Sequence, residues 1–319
     1  MDINYLDCKK AFDTVPHARL LKKLESYGVR GNILQWIRSF LSGREQYVEI
    51  RGTKSDRLRV TSGVPQGSVL GPVLFLVYIN DLVNEMECSA LLFADNAKIY
   101  KSISSEDDIE AMQRDIKRLE VWSKKWLLDF NIDKCITLHV GHRNPNFDYE
   151  MNGQKLARQD VVRDLGIHMS CDLKPVHNVD KAAAEGNQMV GLIRRNFPYI
   201  DLDTCRTLYC SIVRPHLEYA IQSWCPYFQK DISELEKVQR RMTRLVPELK
   251  DLDYETRCEK LGLTTLETRR QRGDLIETYK ILNGKENIDH QIFFEYSDTQ
   301  DPLRQVRRCS GRARDGNEW

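Results

Sequence analysis

The chain has 319 residues, of which 41% are hydrophobic and 30% charged, enough to bury one large core or two ordinary ones. Its formal net charge of +1 does not indicate a nucleic-acid-binding protein, so such a partner would have to bind at local basic faces. The longest apolar run, residues 69–79, is far shorter than the roughly 20 residues of a membrane span. The nine cysteines contain no CxxC pair, so we expect an intracellular, reducing location without disulfides.

Hydrophobic periodicity predicts a mixture of helices and strands in the first part of the chain. Apolar residues at helical spacing predict amphipathic or buried helices at 17–27, 32–42, 74–86 and 107–126. Alternating patterns predict strands at 46–50 and 57–61, at 91–100, within 130–141 and at 161–169. The stretch LLFADNAKIY at 91–100 has the pattern of a β-hairpin, and its Asp95 and Asn96 are ordinary turn residues on their own.

Helical patterns dominate beyond about residue 178. The clearest runs from 232 to 246, where Ser233 and Glu236 have the spacing of a capping box. The tail from Asp301 is polar and Arg-rich, and we expect it to be disordered. The sequence therefore predicts an α+β first part at 1–177, a helical second part at 178–300 and a disordered tail at 301–319.

Three stretches together have the pattern of a two-metal phosphoryl-transfer site. Such a site needs carboxylates on rigid strands to hold two divalent ions about 4 Å apart. Asp7 ends a predicted strand, Asp95 lies at a hairpin turn, and SGVPQGS at 62–68 supplies glycine-containing backbone between them. Each stretch alone is a weak signal, but their order and flanks together are specific for this chemistry.

These stretches resemble the palm motifs of reverse transcriptases from non-LTR retrotransposons, in the jockey-like LINE branch. LDCKKAFDTVPH at 6–17 is similar to the first motif and SGVPQGSVLGPVLFLVYINDL at 62–82 to the second. FADN at 93–96 stands where the family has FADD. FNIDKC at 130–135 and RDLGI at 163–167 resemble the two motifs that follow.

The similarity continues to about residue 284 and so covers nearly the whole chain. It implies a polymerase palm with partial fingers, an antiparallel sheet packed on helices, followed by an all-helical thumb and C-terminal region. It also implies an RNA template, a DNA primer, dNTP substrates and Mg²⁺ or Mn²⁺ as partners and cofactor. Nuclear access is implied by the resemblance alone, and the oligomeric state is left open.

The resemblance assigns catalytic roles to a few residues. Asp7 and Asp95 would be metal ligands, with Asn96 in the place of a third carboxylate. Lys134 would protonate the leaving pyrophosphate, although a solvated surface lysine is the alternative. Phe12 would lie under the sugar of the incoming nucleotide and exclude a 2′-hydroxyl, or it is a core aromatic instead.

Other residues are assigned to binding. Gly63, Gln66 and Gly67 would contact the nucleotide or the template strand, whereas a bare PQG stretch is otherwise a turn. Leu165 and Gly166 would grip the primer end. A basic helical face would follow the phosphate backbone, or is simply solvated: Arg240, Arg241 and Arg244. Cys135, His139 and His142 lack a fourth zinc ligand, so we do not expect zinc.

The sequence departs from the family pattern at the hairpin and at its start. Asn96 removes one negative charge beside the metals, and we expect a loss of at least about 10- to 100-fold in metal affinity or activity. The family's upstream fingers region and its endonuclease domain have no counterpart, so we expect a truncated or decayed element. Three functions therefore stay open: an RNA-directed DNA polymerase, a non-catalytic nucleic-acid-binding remnant, and an inert, poorly folded product.

Overall fold

The computed structural model describes residues 1–296 and 306–308, and the chain divides into two units, Met1–Lys174 and Pro175–Trp319. The helices of the first unit are α1 (Ala11–Thr14), α2 (His17–Ser26), α3 (Gly31–Leu41), α4 (Leu70–Ile79) and α5 (Glu106–Trp126). Its strands are β1 (Asp2–Asp7), β2 (Glu45–Gln46), β3 (Glu49–Ile50), β4 (Thr53–Lys54), β5 (Leu58–Arg59), β6 (Ser89–Phe93), β7 (Asn96–Lys101), β8 (Ile136–His139), β9 (Glu150–Met151), β10 (Gln154–Lys155), β11 (Ala157–Arg158), β12 (Val161–Asp164) and β13 (Ile167–Ser170).

A five-stranded sheet in the order β11-β8-β1-β7-β6 is the framework of the first unit. Its pairs are antiparallel except β11 with β8. On one face, Leu6 and Ile99 belong to the same buried cluster as Met112 and Ile116 of α5. On the other face, Ile3 packs with Leu138 of β8 and with Val162 of the hairpin β12–β13. The sheet is therefore covered on both faces, and β1 lies at its centre.

Residues 45–59 form a long hairpin, which we call the hairpin arm. It consists of the two-residue pairs β2–β5 and β3–β4, and every residue in it is exposed. The sequence predicts a hairpin of two strands at 46–50 and 57–61; the hairpin is present, but its strands are short two-residue segments. Because no face of the arm is buried, the sheet register that burial normally fixes is only weakly specified here.

Helix boundaries differ from the sequence-based predictions at both ends, and the helix predicted at 74–86 already ends at Ile79. Helix α4 begins at Leu70 rather than at 74, with Pro72 in its first turn, where a missing N–H has no helical partner to lose. Helix α3 begins at Gly31 rather than at residue 32. Helix α5 has a capping box between Ser105 and Asp108, and its apolar face is buried as the pattern predicts.

The second unit is helical with one short strand pair. Its helices are α6 (Val176–Asn196), α7 (Leu202–Leu208), α8 (Arg214–Glu218), α9 (Ile221–Trp224), α10 (Gln229–Thr243), α11 (Tyr254–Lys260) and α12 (Leu266–Leu282), with a π-helical turn at Tyr209–Val213. Helices α6 and α10 pack closely at Gly186, where an added Cβ would lie 3.0 Å from Val238.

Two sequence-based expectations for this unit were wrong. Helix α10 begins at Gln229, so Ser233 lies inside it and its hydroxyl donates to the carbonyl of Lys230 at 2.8 Å instead of capping. Strand β14 (Phe294–Tyr296) pairs with β15 (Val306–Arg308), although no strand was predicted beyond 178. Three residues of the predicted disordered tail are thus in β15, and the rest of that tail, 301–305 and 309–319, lies outside the described residues.

The predicted α+β fold class is confirmed: a sheet packed on helices is followed by a mainly helical unit. In the part of the chain that the structure describes, no helix combines the length and apolarity that crossing a bilayer requires. The names palm and thumb for the two units stay predictions.

Candidate active site

The C-terminal end of β1 carries Asp7 next to the turn of the hairpin β6–β7. Asp7 pairs directly with Asn96, the first residue of β7, and Asn96 in turn pairs with Phe93 of β6. Neighbouring strands lie about 4.8 Å apart, and directly paired residues point to the same face. The side chains of Asp7 and Asn96 are therefore neighbours on the face that also carries Tyr5.

Asp95 occupies the two-residue turn between β6 and β7 together with Ala94. Ala94 has φ 52°, a left-handed conformation that short hairpin turns usually assign to glycine. Burial, and after it the charges of Asp95 and Asp7, together raise the pKa of the Cys8 thiol to about 12. Both carboxylates therefore act on one buried thiol, so the turn brings Asp95 to the end of β1.

Lys134 faces the same carboxylate from a 3-10 turn at Ile132–Lys134. Its Nζ lies 3.4 Å from Oδ2 of Asp7, and its side chain is 68% exposed. The backbone N–H of Asn131 donates to the carbonyl of Asp7 at 2.8 Å, which anchors this turn to the end of β1. The predicted catalytic lysine is thus near the predicted metal ligand, but it forms an ion pair with it.

A cavity of about 630 Å³ lies beside these residues. Asp7, Asn96, Lys134 and Leu165 all line it. Leu165 and Gly166 form the two-residue turn between β12 and β13, with φ 48° and 90°. A positive φ at both residues is typical of the type I′ turn, which connects two strands through a two-residue loop. The structure therefore brings Leu165 of the predicted primer grip and Asp7 of the predicted metal ligands to one cavity, whereas Asp95 and Gly166 do not line it.

An ion pair fixes the β12–β13 hairpin to the β6–β7 hairpin. Lys98, two residues after Asn96 on the same face of β7, contacts the carboxylate of Asp164. The sequence does not predict this pair, although Lys98 lies two residues after Asn96 in a predicted strand and Asp164 directly precedes the Leu165 turn. No signal in the sequence alone links the two positions.

Phe12 lies on α1, which follows β1 closely. Its ring stacks on Phe75 of α4 with centroids 4.5 Å apart, and it is only partly buried against the core cluster. It therefore has the contacts of a core aromatic and also an accessible side. Both roles that the sequence leaves open are compatible with this position.

The loop that contains Gly63, Gln66 and Gly67 is hydrogen-bonded to α1. The N–H of Gly63 donates to the carbonyl of Val15 at 2.8 Å, and the N–H of Val64 donates to that of Phe12 at 2.7 Å. A Cβ on Gly63 would lie 2.7 Å from the carbonyl oxygen of Asp13, so this close approach requires glycine. Gly67 has φ 81° and open space around it, and it is not among the residues that line the cavity.

Asp13 is a residue of this region that the sequence analysis missed. Its Oδ1 accepts a hydrogen bond from Nε2 of Gln66 at 3.0 Å, and its carbonyl accepts one from the hydroxyl of Ser62 at 2.9 Å. Both Asp13 and Gln66 are exposed. The available signal was that Asp13 lies inside the first motif, six residues after Asp7.

The predicted basic face lies on and just after α10 in the second unit, and Arg240, Arg241 and Arg244 are all exposed. The guanidinium of Arg240 lies 4.8 Å from the ring centre of Tyr254. Arg241 donates to Oδ1 of Asn187 on α6 at 2.7 Å. Two of these arginines are therefore held by contacts within their own unit, while their charges still face solvent.

The donors at the end of β1 suit a hard divalent cation. Asp7, Asp95 and the amide oxygen of Asn96 are oxygen donors, and Mg²⁺ is commonly held by one or two carboxylates with water and phosphate completing its shell. The ammonium of Lys134 beside Asp7 indicates that the site accommodates a cation. Within residues 1–296 and 306–308, no group of three or more His, Cys, Asp or Glu side chains forms a metal site, so Asn96 leaves a two-carboxylate set.

Comparison with known proteins is consistent with this geometry. Residues 3–169 match the family model described as reverse transcriptase (RNA-dependent DNA polymerase). The chain is 26% identical over 300 residues to the RNA-directed DNA polymerase from mobile element jockey of Drosophila funebris, covering 86% of this chain and 32% of that protein. It is 26% identical over 255 residues to the probable RNA-directed DNA polymerase from transposon X-element of Drosophila melanogaster, covering 76% and 28%.

The chain thus spans about a third of the length of the curated relatives it matches. Among solved structures, apo telomerase from Candida Tropicalis is similar with a TM-score of 0.43 and 12% identity, over 81% of this chain and 43% of that one. That likeness is too low to carry an argument. On the match over residues 3–169 and the jockey-type relatives, the chain belongs to the reverse transcriptase family, in its non-LTR retrotransposon branch.

Proposed function

We propose that this chain is an RNA-directed DNA polymerase that adds dNTPs to a DNA primer along an RNA template. The observation that carries the proposal is the end of β1, where Asp7 lies opposite Asn96 and beside Asp95. Nucleotidyl transfer depends mainly on positioning and on charge stabilisation, which carboxylates on rigid strands can provide through bound cations.

Asp7 and Asp95, with the amide oxygen of Asn96, would hold Mg²⁺ or Mn²⁺, which supplies charge stabilisation at phosphate oxygens when bound. Lys134 is close enough to Asp7 to move from it to a departing pyrophosphate and donate a proton from Nζ. Phe12 offers its accessible side to the sugar of the nucleotide while Phe75 supports its other face. Leu165 and Gly166 would hold the primer end at the cavity.

A second function is favoured by two observations at the same site. Asn96 lowers the negative charge of the donor set, and Lys134 neutralises part of what remains. Both weaken cation binding, so the chain could retain nucleic-acid binding without catalysis. This alternative requires binding to a primer–template duplex that weakens steeply with salt, because cationic side chains displace counterions from phosphates.

Primer extension on a poly-rA template with Mg²⁺ or Mn²⁺ tests the proposal. The chain as written is compared with Asp7→Ala and Asn96→Asp. We expect weak template-dependent incorporation that Asp7→Ala abolishes and that Asn96→Asp raises by about tenfold or more. Incorporation that survives Asp7→Ala would refute this site, and silence from all three folded proteins would leave only the binding function.

A further inference from the structure

The contact between Asp13 and Gln66 fixes which chemical group Gln66 presents to a ligand. A carboxylate only accepts hydrogen bonds, so the 3.0 Å contact with Oδ1 of Asp13 requires the amide nitrogen of Gln66 to face it. The amide oxygen then faces away from Asp13 as an acceptor. Because Gln66 is exposed, this acceptor is available to a bound molecule.

The surrounding backbone holds both partners in place. The Gln66 loop is bonded to α1 through the N–H groups of Gly63 and Val64, and the carbonyl of Gly63 receives Nε2 of His17 at 2.8 Å and Nη2 of Arg44 at 3.1 Å. The close packing of Gly63 on Asp13 allows little relative movement between the loop and α1. An exposed hydrogen bond between two side chains is thereby supported by a rigid frame.

The position of the pair relative to Asp7 limits what it can contact. Asp13 follows Asp7 by six residues, so their Cα atoms are at most about 22 Å apart. A template strand paired with a primer whose growing end lies at Asp7 can therefore pass the pair within a few nucleotides. Contacts to base edges would make copying depend on the template sequence. The hydrogen-bond donor that the Gln66 oxygen accepts from should therefore be present on every nucleotide.

We infer that Asp13 is a positioning residue that orients Gln66 to accept a hydrogen bond from a 2′-hydroxyl of the template strand, and that this pair favours RNA over DNA templates. The inference rests on the proposed function, in which the template is RNA while primer and dNTPs lack that hydroxyl. A 2′-hydroxyl is the group that distinguishes RNA from DNA at a given site. It can donate to the Gln66 oxygen whatever the base.

The test measures binding of two metal-free duplexes, a DNA primer on an RNA template and the same primer on a DNA template of identical sequence. Fluorescence anisotropy gives the ratio of the two Kd values for each protein. We expect the chain as written to prefer the RNA template by about three- to tenfold, the range that one hydrogen bond supplies. Asp13→Ala should bring the ratio to about one.

Two further variants separate orientation of the amide from general charge. Gln66→Glu places two carboxylates together and should weaken binding of both duplexes. In the double variant Asp13→Asn with Gln66→Glu, the new amide donates to the new carboxylate, which again presents an acceptor outward. The RNA preference should return, although overall binding stays weaker because phosphates repel the carboxylate.

Asp148→Ala, which removes an exposed carboxylate paired with Lys155, is the control and should leave the ratio unchanged.

An unchanged ratio in Asp13→Ala, or no recovery in the double variant, overturns the inference. So does a loss confined to nucleotide use, seen in primer extension as a raised KM for dNTP with the template ratio intact. The failure of the proposed function is distinguishable, because a chain that never extends a primer can still show the RNA preference and its loss. No binding of either duplex would refute both.

Discussion

The ion pair between Lys134 and Asp7 joins two residues that the family resemblance assigns to different steps. Lys134 is assigned to the leaving group and Asp7 to a cation, yet their charged atoms are 3.4 Å apart. An exposed ion pair is worth only about 0–1 kcal/mol, so it competes with a divalent cation but cannot exclude one. The lysine therefore acts as a weak competitor at the carboxylate that it accompanies.

Removing this competitor gives a prediction about cation affinity. Lys134→Gln should tighten Mn²⁺ binding by about two- to fivefold in the absence of nucleic acid. The reason is that Mn²⁺ no longer has to displace the ammonium group of Lys134 from Asp7. Isothermal titration calorimetry with Mn²⁺ measures it. Lys155→Gln is the matched control, since Lys155 is an exposed lysine paired with Asp148. Equal or weaker Mn²⁺ affinity in Lys134→Gln would contradict the competition.

Gly63 and Gly67 differ in their surroundings although both have positive φ, 86° and 81°. Gly63→Ala forces a Cβ to within 2.7 Å of backbone atoms of Asp13, so we expect a loss of about 2–5 kcal/mol in the free energy of unfolding. In Gly67→Ala the new Cβ lies in open space, so we expect the free energy of unfolding to fall by only about 1 kcal/mol, the cost of a positive φ for alanine. Urea denaturation of both variants checks this, and equal losses would show that the packing argument is wrong.

At the scale of elements, hydrophobic pattern predicted the structure where one face of an element is buried. Helices α2 and α5 and the β6–β7 hairpin follow their patterns closely. The pattern did not predict the strand lengths of the hairpin arm, which has no buried face. It also did not predict β14 and β15, because strands of three residues are too short to show a periodicity. It also could not show that β12 and β13 form a hairpin beside the cavity at Asp7, since that packing depends on distant residues.

The buried end of β1 should make stability depend on pH. Asp2 is fully buried, and burial raises its pKa, but hydrogen bonds with His139, Tyr149 and Asn144 outweigh this and hold the pKa below its ordinary value of 3.8. A lowered folded pKa contributes stability that is complete above pH 3.8 and is lost as the pH falls through the folded value.

Asp2→Asn should therefore reduce the free energy of unfolding by about 1–3 kcal/mol at pH 7 and flatten its decline below about pH 4. Urea denaturation between about pH 2.5 and about pH 7 would measure both effects. Asp56→Asn, on the exposed hairpin arm, serves as the control and should change neither. A decline with the same slope in Asp2→Asn would assign the acid sensitivity to other carboxylates.

At the scale of the whole molecule, the order of motifs was more informative than composition. Net charge and cysteine content left the partner open, whereas the order of Asp7, the 62–68 loop and Asp95 was enough to indicate the chemistry. The structure adds what order cannot give: Asp7 meets Asn96 across a strand pair, while Gln66 meets Asp13. Such contacts between distant segments depend on the register and packing of the whole unit.

The first unit contains its own core and the candidate active site, so it should fold without the second. We expect residues 1–174, expressed alone, to unfold in one cooperative urea transition, because the buried cluster from Leu6 to Leu156 lies within them. Circular dichroism and tryptophan fluorescence should give the same midpoint. Non-coincident transitions or binding of a hydrophobic dye would show that the unit needs further chain.

The left-handed Ala94 has a consequence for engineering this chain. Glycine at this position relieves the backbone strain of a positive φ, so it offers a stabilising background of about 1 kcal/mol for changes at the neighbouring site. Asp95 and Asn96 follow directly, so one short degenerate oligonucleotide covers the strained position and the altered ligand together. A library limited to codons 94–97 is small enough to screen completely, and selecting it for cDNA yield would reveal whether relaxing the turn or restoring charge recovers more synthesis.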